Sequence, residues 1–79
     1  MDTSLALLET VIATASFPEH RVLAGDVGAI VEVFTQADMA YDVEFFNPDG
    51  STRAVLTLAP DQIRQLSSAD VLTTRQLAS

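Results

Sequence analysis

The side chains from which chemistry could be built are few. The chain has one His, eleven Asp and Glu, four Arg, and no Lys or Cys. His20 stands between Glu19 and Arg21 directly after Pro18. A general base needs a partner and a cleft, and this turn suggests neither, so His20 reads as a surface or turn-packing residue. A nucleophilic triad would have to recruit one of many Ser or Thr to that His, and no nucleophile-elbow pattern is present. Gly25 and Gly28 flank Asp26, but no Lys or Ser/Thr follows at phosphate-loop offset. The Asp26 carboxylate is instead expected to accept backbone N–H groups within its own turn. Asp38, Asp42, Glu44 and Asp49 lack the spacing of a calcium loop, and alternate residues on a strand rarely converge on one cation. Arg53 and Arg64 are expected to pair with nearby carboxylates at the surface, for little energy. No catalytic, cofactor-binding or metal-binding set emerges, and an enzyme is not expected.

The elements that hold these residues read as short β-strands separated by turn residues, the spacing of a small all-β barrel. Thr10–Ala15 is rich in β-branched residues. Before it, Asp2-Thr3-Ser4 could cap a helical turn carrying Leu5 and Leu8. Pro18 breaks the chain. Gly25 can supply positive φ for a tight turn, and Gly28 lets the next strand bend on its way to about Thr35. Ala40–Phe46 and Thr52–Leu58 follow as strands around Asn47-Pro48-Asp49-Gly50, where Gly50 should take the left-handed position that closes the hairpin. Ala59–Ile63 suggests one helical turn with Pro60 at its start, and Arg64–Leu66 a last short strand. The domain is thus placed at residues 1–66, with a C-terminal tail at 67–79.

Composition excludes several functions. The net charge is −7 and the pI about 4.1. Nucleic-acid readers need clustered basic side chains, and an anionic membrane would repel such a surface. No apolar run reaches the roughly 18 residues of a membrane span. Met1–Ser16 has an apolar centre, but Asp2 replaces a basic start and Glu9 interrupts it, so it does not read as a secretory signal. A cytoplasmic protein without disulfides is expected.

The ordered set Leu23–Val33, Tyr41–Phe45, Asp49-Gly50 and Leu56-Thr57-Leu58 with Asp61-Gln62-Ile63-Arg64 resembles a bacterial family of small uncharacterised proteins, catalogued only as a domain of unknown function. The resemblance spans about residues 8–66 and implies an SH3-like barrel of about five antiparallel strands. Some relatives are encoded beside putative toxin genes, which implies an antitoxin-like role. No site residues come with the family.

Strand alternation divides the residues into two faces. Val11, Ala13, Ala29, Val31, Val33, Tyr41, Val43, Phe45, Leu56 and Leu58 are the expected core. The opposite set is Ile30, Glu32, Phe34, Asp42, Glu44, Phe46 and Val55, with Arg53. Either Ile30 turns inward at a bulge, or this apolar set ringed by carboxylates is an interaction patch. On the second reading Phe34 and Phe46 share one patch, and a homodimer burying either is expected. Two functions follow. One is an acidic protein-interaction module that binds a basic protein partner. The alternative is a structural or accessory subunit that self-associates or packs on a larger enzyme. A small-ligand binder is a poorer fit, since a barrel this size is filled by its own side chains.

Overall fold

The computed structural model describes residues 5–67. Met1, the capping residues Asp2–Ser4 and the tail from residue 68 lie outside them. Five antiparallel strands form one unclosed sheet: β1 (Thr10–Ala13), β2 (Val27–Phe34), β3 (Ala40–Phe46), β4 (Thr52–Leu58) and β5 (Ile63–Gln65). Their order across the sheet is β4-β3-β2-β1-β5, so β4 and β5 are the edges. Two single 3₁₀ turns, Pro18–His20 and Pro60–Gln62, are the only helical elements among the described residues. None is long or apolar enough to cross a membrane.

β3 and β4 begin and end where their sequences predict, because Gly50 does what the turn requires. Its φ is +91°, with its N–H on the Asn47 carbonyl and the Asn47 N–H on Ser51. Asp49 reinforces the turn by accepting both the Ser51 N–H at 2.9 Å and the Ser51 hydroxyl at 2.6 Å. Gly25 likewise has φ +96°. Gly28 serves packing. A Cβ there would stand 2.7 Å from Val43 Cγ1 and 2.9 Å from the Glu44 carbonyl oxygen, so β2 can lie this close to β3 only without a side chain.

The expected N-terminal helical turn is not formed by its described part. Ala6 to Glu9 is a tight turn, with Leu8 at φ +70° and the Glu9 N–H on the Ala6 carbonyl. The Leu8 N–H then reaches the Ile30 carbonyl at 2.6 Å. That bond to β2 outcompetes helix propensity, which is weak in so short a segment.

Val11, Ala13, Val22, Ile30, Tyr41, Val43, Phe45, Leu56, Leu58 and Ile63 form the core cluster, with Leu5, Phe17, Val33, Met39 and Ala54 packed on it. Two expected members, Ala29 and Val31, are only half-buried, and Ile30 takes their place at 0% exposure. The cause is a bulge in β2, where Ile30 pairs with Val43 and Glu32 with Asp42, leaving Val31 as the extra residue. Strict alternation from Gly28 and Ile30 would carry Glu32 inward as well. Burying an unpaired carboxylate costs several kcal/mol, whereas burying Ile30 contributes roughly 1.5–3 kcal/mol. One inserted residue secures the second and avoids the first.

Candidate interaction surface

The face opposite the core is built from alternate residues of β2, β3 and β4. Ala29, Glu44 and Val55 stand in one cross-strand row, and Glu32, Asp42 and Thr57 in the next. Three carboxylates therefore point from neighbouring positions to the same side. Glu44 accepts a hydrogen bond from the Thr52 hydroxyl, and Asp42 one from the Thr57 hydroxyl. These bonds fix the two side chains without neutralising them. Glu32 is exposed directly opposite Asp42, an arrangement of like charges that is unfavourable by itself. Among the described residues no group of three or more His or acidic side chains is placed to hold a metal ion.

The apolar members of the face are separated. Phe34 is 41% exposed and Val55 51%. Phe34 stands opposite Ala40 at one end of β3, and Phe46 lies six residues along at the other, half-buried and opposite Thr52. At about 3.3 Å per residue their backbone positions are separated by about 20 Å along the sheet, so they stand at its opposite ends and do not share one patch. The hairpin between β2 and β3 brings together Phe34 and Ala40, whereas Phe46 flanks the next turn, at the far end of β3. Ile30 leaves the outward set altogether. Of the seven residues expected to make the surface, Glu32, Asp42, Glu44 and Val55 are brought together, with Phe34 and Phe46 at opposite ends.

Arg53 also departs from the outward set. It is the extra residue of a second bulge, where Phe45 pairs with Ala54 and Phe46 with Thr52. The bulge turns its guanidinium towards Asp26, Nη1 to Oδ2 at 3.2 Å, with the two side chains only 13% and 3% exposed. The same oxygen of Asp26 accepts the Leu23 N–H at 2.9 Å, as the turn chemistry predicts. Arg53 further donates to Asn47 Oδ1 at 3.0 Å and to the Arg21 carbonyl at 3.2 Å. Expected as a surface pair, it is a buried tie between β4 and the chain entering β2.

Through Arg21 that tie also fixes the 3₁₀ turn Pro18–His20, closed at its base by two hydrogen bonds between Phe17 and Val22. His20 lies there exposed, its Nε2 3.9 Å from a Glu19 oxygen. Between this turn and β4 runs a shallow groove of about 310 Å³, lined by Phe17, Glu19, His20, Gln62 and Val55 to Leu58. Sequence reasoning missed it because its walls are more than thirty positions apart, and no local pattern marks their approach.

No curated protein and no solved structure matches the chain. A family model described as a domain of unknown function, DUF4926, matches residues 7–65. That span takes in all five strands, both bulges and the groove, and the chain belongs to this family.

Proposed function

We propose that the protein is an interaction module whose outward sheet face, carrying Glu32, Asp42 and Glu44, binds a basic protein partner inside the cell. The observation that carries this reading is the pairing of Glu32 with Asp42 beside Glu44. Like charges opposite one another cost the free domain stability, and a cation laid across them turns that cost into attraction. Arg53, the basic residue nearest in sequence to Asp42 and Glu44, is held by Asp26 instead. The excess of acidic residues would steer a cationic partner and compete with its nucleic acid. The resemblance to bacterial SH3-like barrels implies toxin-like neighbouring genes, which supports a toxin-like nuclease as the class of partner, and the lack of Cys suits the cytoplasm.

The test is retention of a basic host protein on immobilised wild type and on a triple variant, Glu32→Gln, Asp42→Asn and Glu44→Gln. Retention should fall with moderate salt and be lost in the variant. Equal retention by both proteins overturns the reading.

A second reading, a self-associating or accessory subunit, is favoured by the exposure of Val55 on an edge strand. It predicts association through apolar contact, detected by light scattering and insensitive to salt.

A further inference from the structure

β4 is hydrogen-bonded to β3 alone. Between Val55 and Leu58, every second residue therefore turns its N–H and C=O away from the sheet. Among the described residues no backbone hydrogen bond runs from this stretch to any other element. Natural edges are guarded by Lys, Pro, inward charge, a bulge or a cover. Val55-Leu56-Thr57-Leu58 has no such guard within it, and the bulge at Arg53 and the ring of Pro60 lie just beyond its two ends.

The groove lies along this edge. A cavity on one face of a strand touches alternate residues, yet this one is lined by four consecutive residues, from Val55 to Leu58. Its far wall, Phe17 and the turn after it, is fixed by the Phe17–Val22 bonds and by Arg53 on the Arg21 carbonyl. An unpaired edge with a preformed opposite wall fits an extended chain.

We infer that the partner docks an extended segment as a sixth strand on β4, and that apolar and basic residues alternate along it. This rests on the acidic-face reading above and adds where and how the partner binds. Residues seated beside Leu56 and Leu58 lie on the core side and meet Phe17, so they are apolar. Those beside Val55 and Thr57 lie on the outward side, two strand spacings, or about 10 Å, from Glu44 and Asp42. A Lys or Arg spans that distance, its methylene stem covering exposed Val55 while its charge reaches the carboxylates.

The experiment titrates wild type with a capped seven-residue peptide of alternating Lys and Val, at low and moderate salt. A peptide of the same composition in two blocks is the control. Two further versions carry N-methyl groups on one or the other set of alternate residues, which blocks a strand ladder without altering the protein. The alternating peptide should bind and slow amide exchange between Val55 and Leu58. The block peptide should bind at least about tenfold more weakly. One N-methylated version should lose at least about tenfold and the other little, because only one set of amides faces β4. Val55→Lys should weaken the alternating peptide similarly. Equal loss from both N-methylated versions, or no binding at low salt, overturns the inference. Salt-sensitive binding of alternating and block peptides alike would defeat strand addition while leaving the acidic-face reading intact. Binding that keeps the N-methyl asymmetry but ignores salt and the Asp42→Asn, Glu44→Gln variant would defeat the basic-partner reading and, with it, the basic half of the alternation. A doubled mass for wild type, abolished by Val55→Lys, would make a second copy the occupant and overturn the assignment.

Discussion

Asp26 and Asp42 are the same residue type, one entering β2 and the other within β3, and their surroundings differ in every respect that matters. Asp26 is 2% exposed, satisfied by the Leu23 N–H and by Arg53. Asp42 is half-buried on the outward face, with Thr57 as its donor and Glu32 as its cross-strand neighbour. The first carboxylate is compensated and serves the fold. The second is left in a like-charge row that the fold does not need. The difference lies in the bulges: one turns Arg53 inward to Asp26, and the other turns Glu32 outward to Asp42.

The scale for this contrast is set by the core. Phe45 is 1% exposed and touches the site of Gly28. Phe45→Ala should cost roughly 3–5 kcal/mol, enough to unfold much of so small a domain. A variant that melts within a few degrees of wild type would remove Phe45 from the core.

Breaking the Asp26–Arg53 tie should come next. Arg53→Ala leaves a buried carboxylate without its cation, and loss of one partner of such a pair costs about 3 kcal/mol. Replacing both, with Asp26→Leu and Arg53→Met, should recover a large part of that loss, because no stranded charge remains. Urea unfolding of the single and double variants measures this. If Arg53→Ala behaves like a surface substitution, the contrast between the two carboxylates collapses.

How much of this was legible depended on how local each cause is. The turns around Gly25 and Gly50, and the bounds of β3 and β4, follow from residues within a few positions of one another. The inner set Tyr41, Val43 and Phe45 alternates in sequence as it does in space. Ile30 was open in the sequence, since Ala29, Ile30 and Val31 are all apolar and period two has no unique phase there. Pairing with β3, where Glu32 must face out, settles it. Asp26 and Arg53 are 27 positions apart, and β5 meets β1 across the length of the domain. Contacts of that range leave no period or motif for a sequence to display. The carboxylates of the outward face were legible one by one, but the separation of Phe34 from Phe46 was not.

The outward row should respond in the opposite direction to the buried pair. Glu32→Gln removes one of two facing charges and keeps the side-chain shape. Stability should rise by a few tenths of a kcal/mol, within the 0.2–1 kcal/mol range of cross-strand pairs. The gain should shrink in high salt, while binding of a basic partner weakens. A loss of stability would mean that Glu32 is held by the fold after all.

Asp49 gives the smallest effect and the finest test, because it is a fully exposed carboxylate with donors of its own. The Ser51 hydroxyl, and after it the Ser51 N–H, hold its carboxyl below the ordinary value of 3.8. Both donors favour the ionised form. The folded state therefore releases this proton more readily than the unfolded chain does. The resulting stabilisation of the hairpin is present above the ordinary value and fades as pH falls through the lowered one. Ser51→Ala removes the larger cause and keeps the backbone donor, so the carboxyl should move only part of the way back. An NMR titration of the Asp49 side chain in both proteins reads this directly. A full return to 3.8 in Ser51→Ala would show that the backbone bond contributes nothing. No change at all would show that the hydroxyl does not set the shift.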